Sequence, residues 1–254
     1  HKIHELRCLT NTETNKIFSF EAQTPTCYFW LAKQPNDFAT HLYDRDRKCY
    51  IEYKLRVKAP IPVFGSAIVA KLAPFVEKYG HICVLKTNSP KKGAHFSDVQ
   101  DEQHKYPNIR TAVLQGVSPQ LSINYSKTPQ AHFDECKLVL PHKMFGFPYI
   151  DASGAFGISS RDNYVIINKS IEDLQLLNEF FSTKTALYLF ETTRYRMKYL
   201  ERYAFELIPD ILRMQPDIKR PVTDETIGEM FGFDDLDLAH IQNLHKKIYD
   251  FRYV

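Results

Sequence analysis

At 254 residues the chain is long enough for one large domain or two modest ones with a sizeable core. Hydrophobic content of 44% and charged content of 25% are ordinary for a globular protein, and a net charge of +3 permits a polyanionic partner without requiring one. Glycine is scarce, at 9 residues against 18 Phe and 15 Tyr, which argues against a glycine-rich nucleotide-binding enzyme. Cys8, Cys27, Cys49, Cys83 and Cys136 are odd in number and form no C-x-x-C pair. Neither a disulfide framework nor a zinc knuckle is indicated, and an intracellular, reducing compartment (cytoplasm, nucleus or viral factory) fits best. No apolar run approaches bilayer-crossing length and no signal peptide is visible, so no membrane partner is expected. The first residue is His1, which predicts a piece of something longer with a catalytic domain upstream.

Strands are expected at 17–20, 27–32 and 49–57, the last with Cys49, Ile51, Tyr53, Leu55 and Val57 on one face and Tyr50, Glu52, Lys54 and Arg56 on the other. A helix over 65–79 and a strand over 81–86 complete a strand–helix–strand unit. A polar, breaker-rich loop covers 88–107, and strands follow at 110–115, 121–125, 137–140 and 164–167. Ser170 reads as the N-cap of a helix carrying Ile171, Leu174, Leu177 and Phe181. In the tail, Thr223 and Asp234 cap a helical pair that Gly232 separates, and its acidic first half is expected to face away from DNA. The expected fold class is α+β: an N-terminal subdomain (1–87), a β-rich region ending in a long basic helix (88–211), and a linker with a small helical tail (212–254).

The segment 182–211 carries the densest pattern. Arg194, Lys198 and Arg202 recur every four residues, and so do Tyr195, Tyr199 and Tyr203. On one continuous helix, residues four apart stack, so a ladder of cations lies beside a ladder of phenols. Arg194, Arg196, Lys198 and Arg202, with Lys184 near the helix start, suit phosphates, and Tyr195 and Tyr199 suit sugar or base faces. The same spacing suits a half-buried bundle helix with snorkelling tyrosines. In the loop 154–163, Arg161 suits guanine, Asn163 suits adenine, and Asp162 lies between them. A hairpin whose polar groups satisfy one another is the alternative there.

Glu52-Tyr53-Lys54 places a carboxylate and an ammonium on one strand face, as metal-dependent nucleases of the PD-(D/E)xK type require. Asp37, or Asp44, is the candidate second carboxylate, and Mg²⁺ the cofactor. The polar face of any half-buried strand yields the same spacing by chance. His95 and His104 flank the long loop, but no histidine sits at metal-ligand spacing.

The ordered series K-L-V-L-P-H-K (137–143), F-P-Y-I-D (147–151), G-A-F-G-I-S (154–159) and L-L-N-E-F-F-S-T-K (176–184), followed by a basic helix ending I-P-D-I (208–211), resembles the target-recognition region of adenine-N6 DNA methyltransferases and fused type IIG restriction–modification enzymes. It is especially similar to versions carried by large DNA viruses, over about 106–211. The resemblance implies a module that lies along double-stranded DNA and reads a short sequence while a separate domain methylates the adenine. That domain has a glycine-rich loop for S-adenosylmethionine and an N-P-P-Y-like tetrapeptide, and neither occurs here. No cofactor is therefore expected in this chain; S-adenosylmethionine would belong to the methyltransferase domain. A Mg²⁺-dependent endonuclease and a protein–protein interaction domain are the alternatives.

Overall fold

The computed structural model describes residues 1–19, 21, 24–86, 90, 94–115, 118–142, 148–194 and 199–244. It opens on β1 (Lys2–Leu9), a strand the sequence pattern does not announce, followed by α1 (Asn11–Ile17). The Thr10 side chain accepts from Glu13 N–H while the Glu13 carboxylate accepts from Thr10 N–H. This reciprocal cap starts a helix that runs into the segment expected as strand 17–20. Next come β2 (Thr26–Ala32), β3 (Ala39–Asp44), β4 (Cys49–Lys54) and α2 (Ser66–Tyr79). The four strands form one sheet in the order β2-β1-β3-β4, with β1 and β3 parallel and the other neighbours antiparallel. β4 ends at Lys54, short of the expected 57, and its alternation is only partial. Tyr53 is buried and Ile51 half-buried, but Cys49, expected on the same face, is exposed like Tyr50, Glu52 and Lys54, and Val57 beyond the strand is exposed too. α2 buries Ile68, Val69, Leu72 and Val76.

Further along are β5 (Leu85–Lys86), β6 (Phe96–Ser97), β7 (Tyr106–Gln115), β8 (Ser118–Ser126) and β9 (Lys137–Pro141). They are followed by β10 (Tyr149–Asp151), β11 (Gly157–Ile158), β12 (Asn163–Ile167) and α3 (Ile171–Phe181), which Ser170 caps as expected. The chain then forms α4 (Lys184–Thr192), 3-10 turns at Arg202–Leu207 and Ile211–Asp217, α5 (Asp224–Phe231) and α6 (Asp235–Gln242). The fold class is α+β. No helix among the described residues is long and apolar enough to cross a membrane.

Contacts divide the chain into two units. The first comprises 1–82, 184–218 and 224–244; the second comprises 83–183, 219–223 and 245–254. The described residues of 184–211, grouped by the sequence pattern with the recognition region, thus fall in the same unit as the N-terminal sheet, and so do 212–218 and 224–244 of the tail.

The expected long helix is not continuous. α4 ends at Thr192, whose carbonyl accepts from Val63 N–H at 2.7 Å and whose hydroxyl donates to Leu189 O at 2.7 Å. A β-branched pair, Thr192-Thr193, buried where Val63 in the segment before α2 takes the Thr192 carbonyl, stops the propagation that local spacing favours. After it comes a 3-10 turn, so Arg202 does not continue a four-residue ladder from Arg194.

In the first unit acidic side chains act as caps and counter-ions. Buried Asp44 accepts from Ser66 Oγ at 2.8 Å and Ala67 N–H at 3.0 Å, capping α2 from the end of β3. Buried Asp224 accepts from Thr185 N–H and Oγ1, both at 2.7 Å, capping α4 from the first turn of α5. Fully buried Asp237 pairs with Arg47 at 2.6 Å and with Lys71, and Asp234 contacts the same two cations at 3.2 and 2.9 Å. Tyr188 donates to Asp46 beside this network; burial first, and then that carboxylate, push its phenol far above its usual range.

The second unit holds two sheets, β10-β9-β12-β5 and β11-β7-β8-β6. Ile109, Val139, Ile158 and Val165 form a core cluster with Leu121, Tyr149, Phe156 and Ile167 packed on it. Lys137 on β9 is fully buried and donates to Asp151 on β10 at 2.6 Å and to Glu135 O at 3.0 Å. Asp151 also accepts from Ala155 and Phe156 N–H, both at 3.0 Å.

Asp151→Ala leaves the Lys137 ammonium buried without its counter-ion, and should cost about 3–5 kcal/mol in urea unfolding. A loss under about 1 kcal/mol would show that Lys137 escapes to water. Asp234 is held well below the usual carboxylate range, first by Asp237 N–H and then by Lys71 and Arg47. A lowered folded pKa gives stability that is present above the unfolded value of 3.8 and disappears as pH falls. Thermal melts of Asp234→Asn should therefore lie below wild type at neutral pH and converge with it in acid. A gap that widens in acid would contradict the pairing.

Candidate nucleic-acid interface

The turn 159–162 joins β11, which pairs with β7, to β12, which pairs with β9 and β5. It therefore crosses from one sheet to the other, and both of its ends are tied to β7. Ser159 N–H and Oγ donate to Ile109 O at 3.2 and 3.4 Å. On the far side the fully buried Asn163 amide donates to Arg110 O at 2.9 Å and to Ser160 O at 3.3 Å. Across the top, Asp162 N–H donates to Ser160 Oγ at 3.1 Å and Asp162 O accepts from His142 N–H at 2.7 Å. The His142 ring sits edge-on to Tyr164 and 3.8 Å from the Asp162 carboxylate.

This geometry separates the three residues singled out in the loop. Asn163 does not face an adenine edge, because its amide is spent on the backbone; it anchors the turn. Asp162 is half-buried. Arg161 is exposed, and its guanidinium makes no hydrogen bond or ion pair among the described residues. A fixed turn thus presents one free guanidinium, the donor fork that suits guanine O6 and N7 or a phosphate. Arg110, which the sequence pattern did not single out, flanks the turn on β7 and pairs with Asp98 at 2.5 Å. A one-residue register shift between Ile109 and Thr111 breaks the alternation that would have marked it.

The motifs that carry the resemblance build this scaffold. Lys137 of the first motif and Asp151 of the second form the buried ion pair. The backbone of the third closes on Asp151, with Gly154 at φ +72 and Gly157 placed so that a Cβ would fall 2.4 Å from Asn108 Oδ1, so a Cβ fits neither position.

In the first unit the expected cations fare differently. Arg194 donates to the nearly buried Glu191 at 3.1 Å, so its charge is largely satisfied at home. Lys184 reaches Gln242 O at 3.5 Å. Tyr199 is exposed, and Arg202 is exposed with no hydrogen bond or ion pair among the described residues. Tyr195, Arg196 and Lys198 lie outside the described residues.

The nuclease candidates are not brought together. Glu52 and Lys54 share the outer face of β4, and Glu52 stands opposite His41. Asp37 lies before the start of β3, four residues from the His41 rung, where the chain turns at Phe38 (φ 62). Its carboxylate accepts from Lys2 at 2.6 Å and Ala39 N–H at 3.1 Å, and the Lys2 bond holds it below the usual carboxylate range. Asp44 is consumed capping α2. Among the described residues no three His, Cys, Asp or Glu side chains gather closely enough to hold a metal ion, and His104 bonds Asp101 instead.

Compared with known proteins, the chain matches no family model, no curated protein and no solved structure. Within the turn the roles separate by stability. Asn163→Ala leaves two carbonyls short of a donor and should cost about 1–3 kcal/mol in chemical denaturation. Arg161→Ala should stay within about 0.5 kcal/mol of wild type. The reverse order would mean that Arg161 is a structural residue.

Proposed function

We propose that this chain is the DNA-reading module of a larger modification or restriction enzyme. The observation that carries the reading is Arg161: exposed, without a partner among the described residues, at the tip of a turn whose base is fixed by buried hydrogen bonds. Presenting a long cation on a rigid base lowers the entropy lost on contact, which favours recognition of a base edge over loose charge attraction. Arg202 of the other unit, likewise exposed without a partner among the described residues, is the candidate phosphate contact. His142 of the first motif and Ser159 of the third tie down the Arg161 turn, which supports the same reading. Chemistry on the base, S-adenosylmethionine included, falls to a methyltransferase domain elsewhere in the longer protein. All five cysteines are free thiols, with Cys8 and Cys27 directly opposite each other on β1 and β2, which accords with an intracellular, reducing setting.

Electrophoretic shifts with duplex DNA test the assignment. Affinity should fall steeply with salt, and Arg202→Ala should weaken all sequences alike while reducing the salt slope by about one. Arg161→Ala should blunt discrimination between sequences by roughly 1–3 kcal/mol, read by competition against randomised duplexes. Unchanged binding and preference in both variants would refute the reading.

A further inference from the structure

β2 is the outermost strand of the first sheet, and among the described residues only β1 pairs with it. Tyr28, Phe29, Trp30 and Leu31 are 51, 54, 60 and 47% exposed. Successive strand residues point to opposite faces, so both faces of β2 are about half-exposed, with the His4 ring stacked on Trp30 at 4.8 Å, and among the described residues its outer edge is unpaired. Proteins normally blunt such an edge with a lysine, a proline or a covering loop. Between Thr26 and Ala32 there is neither charge nor proline. Beside the strand lies an apolar cavity of about 440 Å³ lined by Cys8, Leu9, Pro25, Cys27, Pro60 and Ile61.

We propose that two copies of this chain join through β2, antiparallel across a two-fold axis at Phe29, and merge their four-stranded sheets into one. The register follows from backbone chemistry. Only alternate residues of an edge strand aim N–H and C=O outward, and in a self-pair those must face the same outward set. Opposed residues then differ by an even number, which puts the axis on a residue, and Phe29 is the middle of the strand. Tyr28 of one copy faces Trp30 of the other, an aromatic cross-strand pair, and no charges oppose one another. At about 100 Å² for each half-exposed large side chain, the four residues supply roughly 400 Å² per copy, half of the ~800 Å² a stable interface buries on each side. The strand edge and the rim of the cavity lie directly alongside.

The surface chemistry favours a second copy over a polyanion. Arg7 on β1, opposite Tyr28, is already stacked over Tyr43 at 4.1 Å and lies 4.0 Å from Glu13, and the titratable group on the rings themselves is His4, stacked on Trp30 at 4.8 Å. Glu5 is paired directly opposite Trp30, and Glu52 is exposed on β4 of the same sheet.

Sedimentation equilibrium of the whole chain tests this, with the emission of Trp30, the only tryptophan, as a second readout. Wild type should run as a dimer whose Trp30 emission shifts to the red on dilution. Tyr28→Lys/Trp30→Lys and Tyr28→Glu/Trp30→Glu should each be monomeric with unchanged circular dichroism, and mixing them should restore a one-to-one dimer. Should the charged variants fail to fold, Phe29→Cys in a chain with Cys27, Cys49 and Cys83 changed to serine should form an intermolecular disulfide readily. Val57→Cys, more exposed at 75% against 54% but off the strand, should not. A monomeric wild type, a dimer that survives both charged variants, no dimer on mixing, equal cross-linking at 29 and 57, or a monomer whose Trp30 is quenched by single-stranded DNA would each overturn the proposal.

Discussion

A carboxylate removed from water must find a cation or a row of N–H donors, and the first unit is arranged around meeting that demand at Asp237. Arg47 from the turn after β3 and Lys71 from α2 both converge on it, and Asp234 shares them. The result is that the C-terminal helical pair, the sheet and α2 are held by one group of charges rather than by apolar contact alone. Asp44 and Asp224 repeat the principle at the starts of α2 and α4. The acidic tail, whose composition suggests a solvated face turned away from a polyanion, is therefore partly interior: its buried aspartates keep helix ends and cations satisfied.

The second unit solves the same problem with Lys137 and Asp151. Their pairing stitches β9 to β10, and the remaining carboxylate valence draws in the backbone that leads to β11. From there the chain crosses between sheets, and the crossing exposes Arg161. Buried polar groups thus serve a positioning role here, converting a glycine-containing loop into a fixed turn. Charges in this protein sort into two kinds: those consumed in holding the fold, such as Arg47, Lys71, Lys137 and, largely, Arg194, and those left exposed without a partner among the described residues, Arg161 and Arg202 among them.

Local signals in the sequence were legible wherever the determining contact is itself local. Ser170, Asp234 and Gly232 mark helix ends because a cap needs only its own next turn, and the partial alternation of β4 follows from one partly buried face. Strands β1 and β3 escaped because their polar residues hide the alternation, and their pairing is parallel and distant in sequence. The long helix failed for a similar reason: its spacing is helical on both sides of Thr192, but Val63, far away in the chain, takes the carbonyl that propagation would need. At the candidate site the residue types were legible and their roles were not. Asn163 and Arg161 look equally suited to base edges until burial assigns one to the scaffold and the other to the surface.

The most direct measurement of that division is amide hydrogen exchange on the chain with and without duplex DNA. If leftover cations mark the contact surface, added DNA slows exchange in peptides spanning 158–163 and 199–204, and leaves the Lys137–Asp151 and Asp237 regions unchanged. Protection that bypasses both exposed arginines, or no protection at any peptide under conditions where DNA binds, would contradict it.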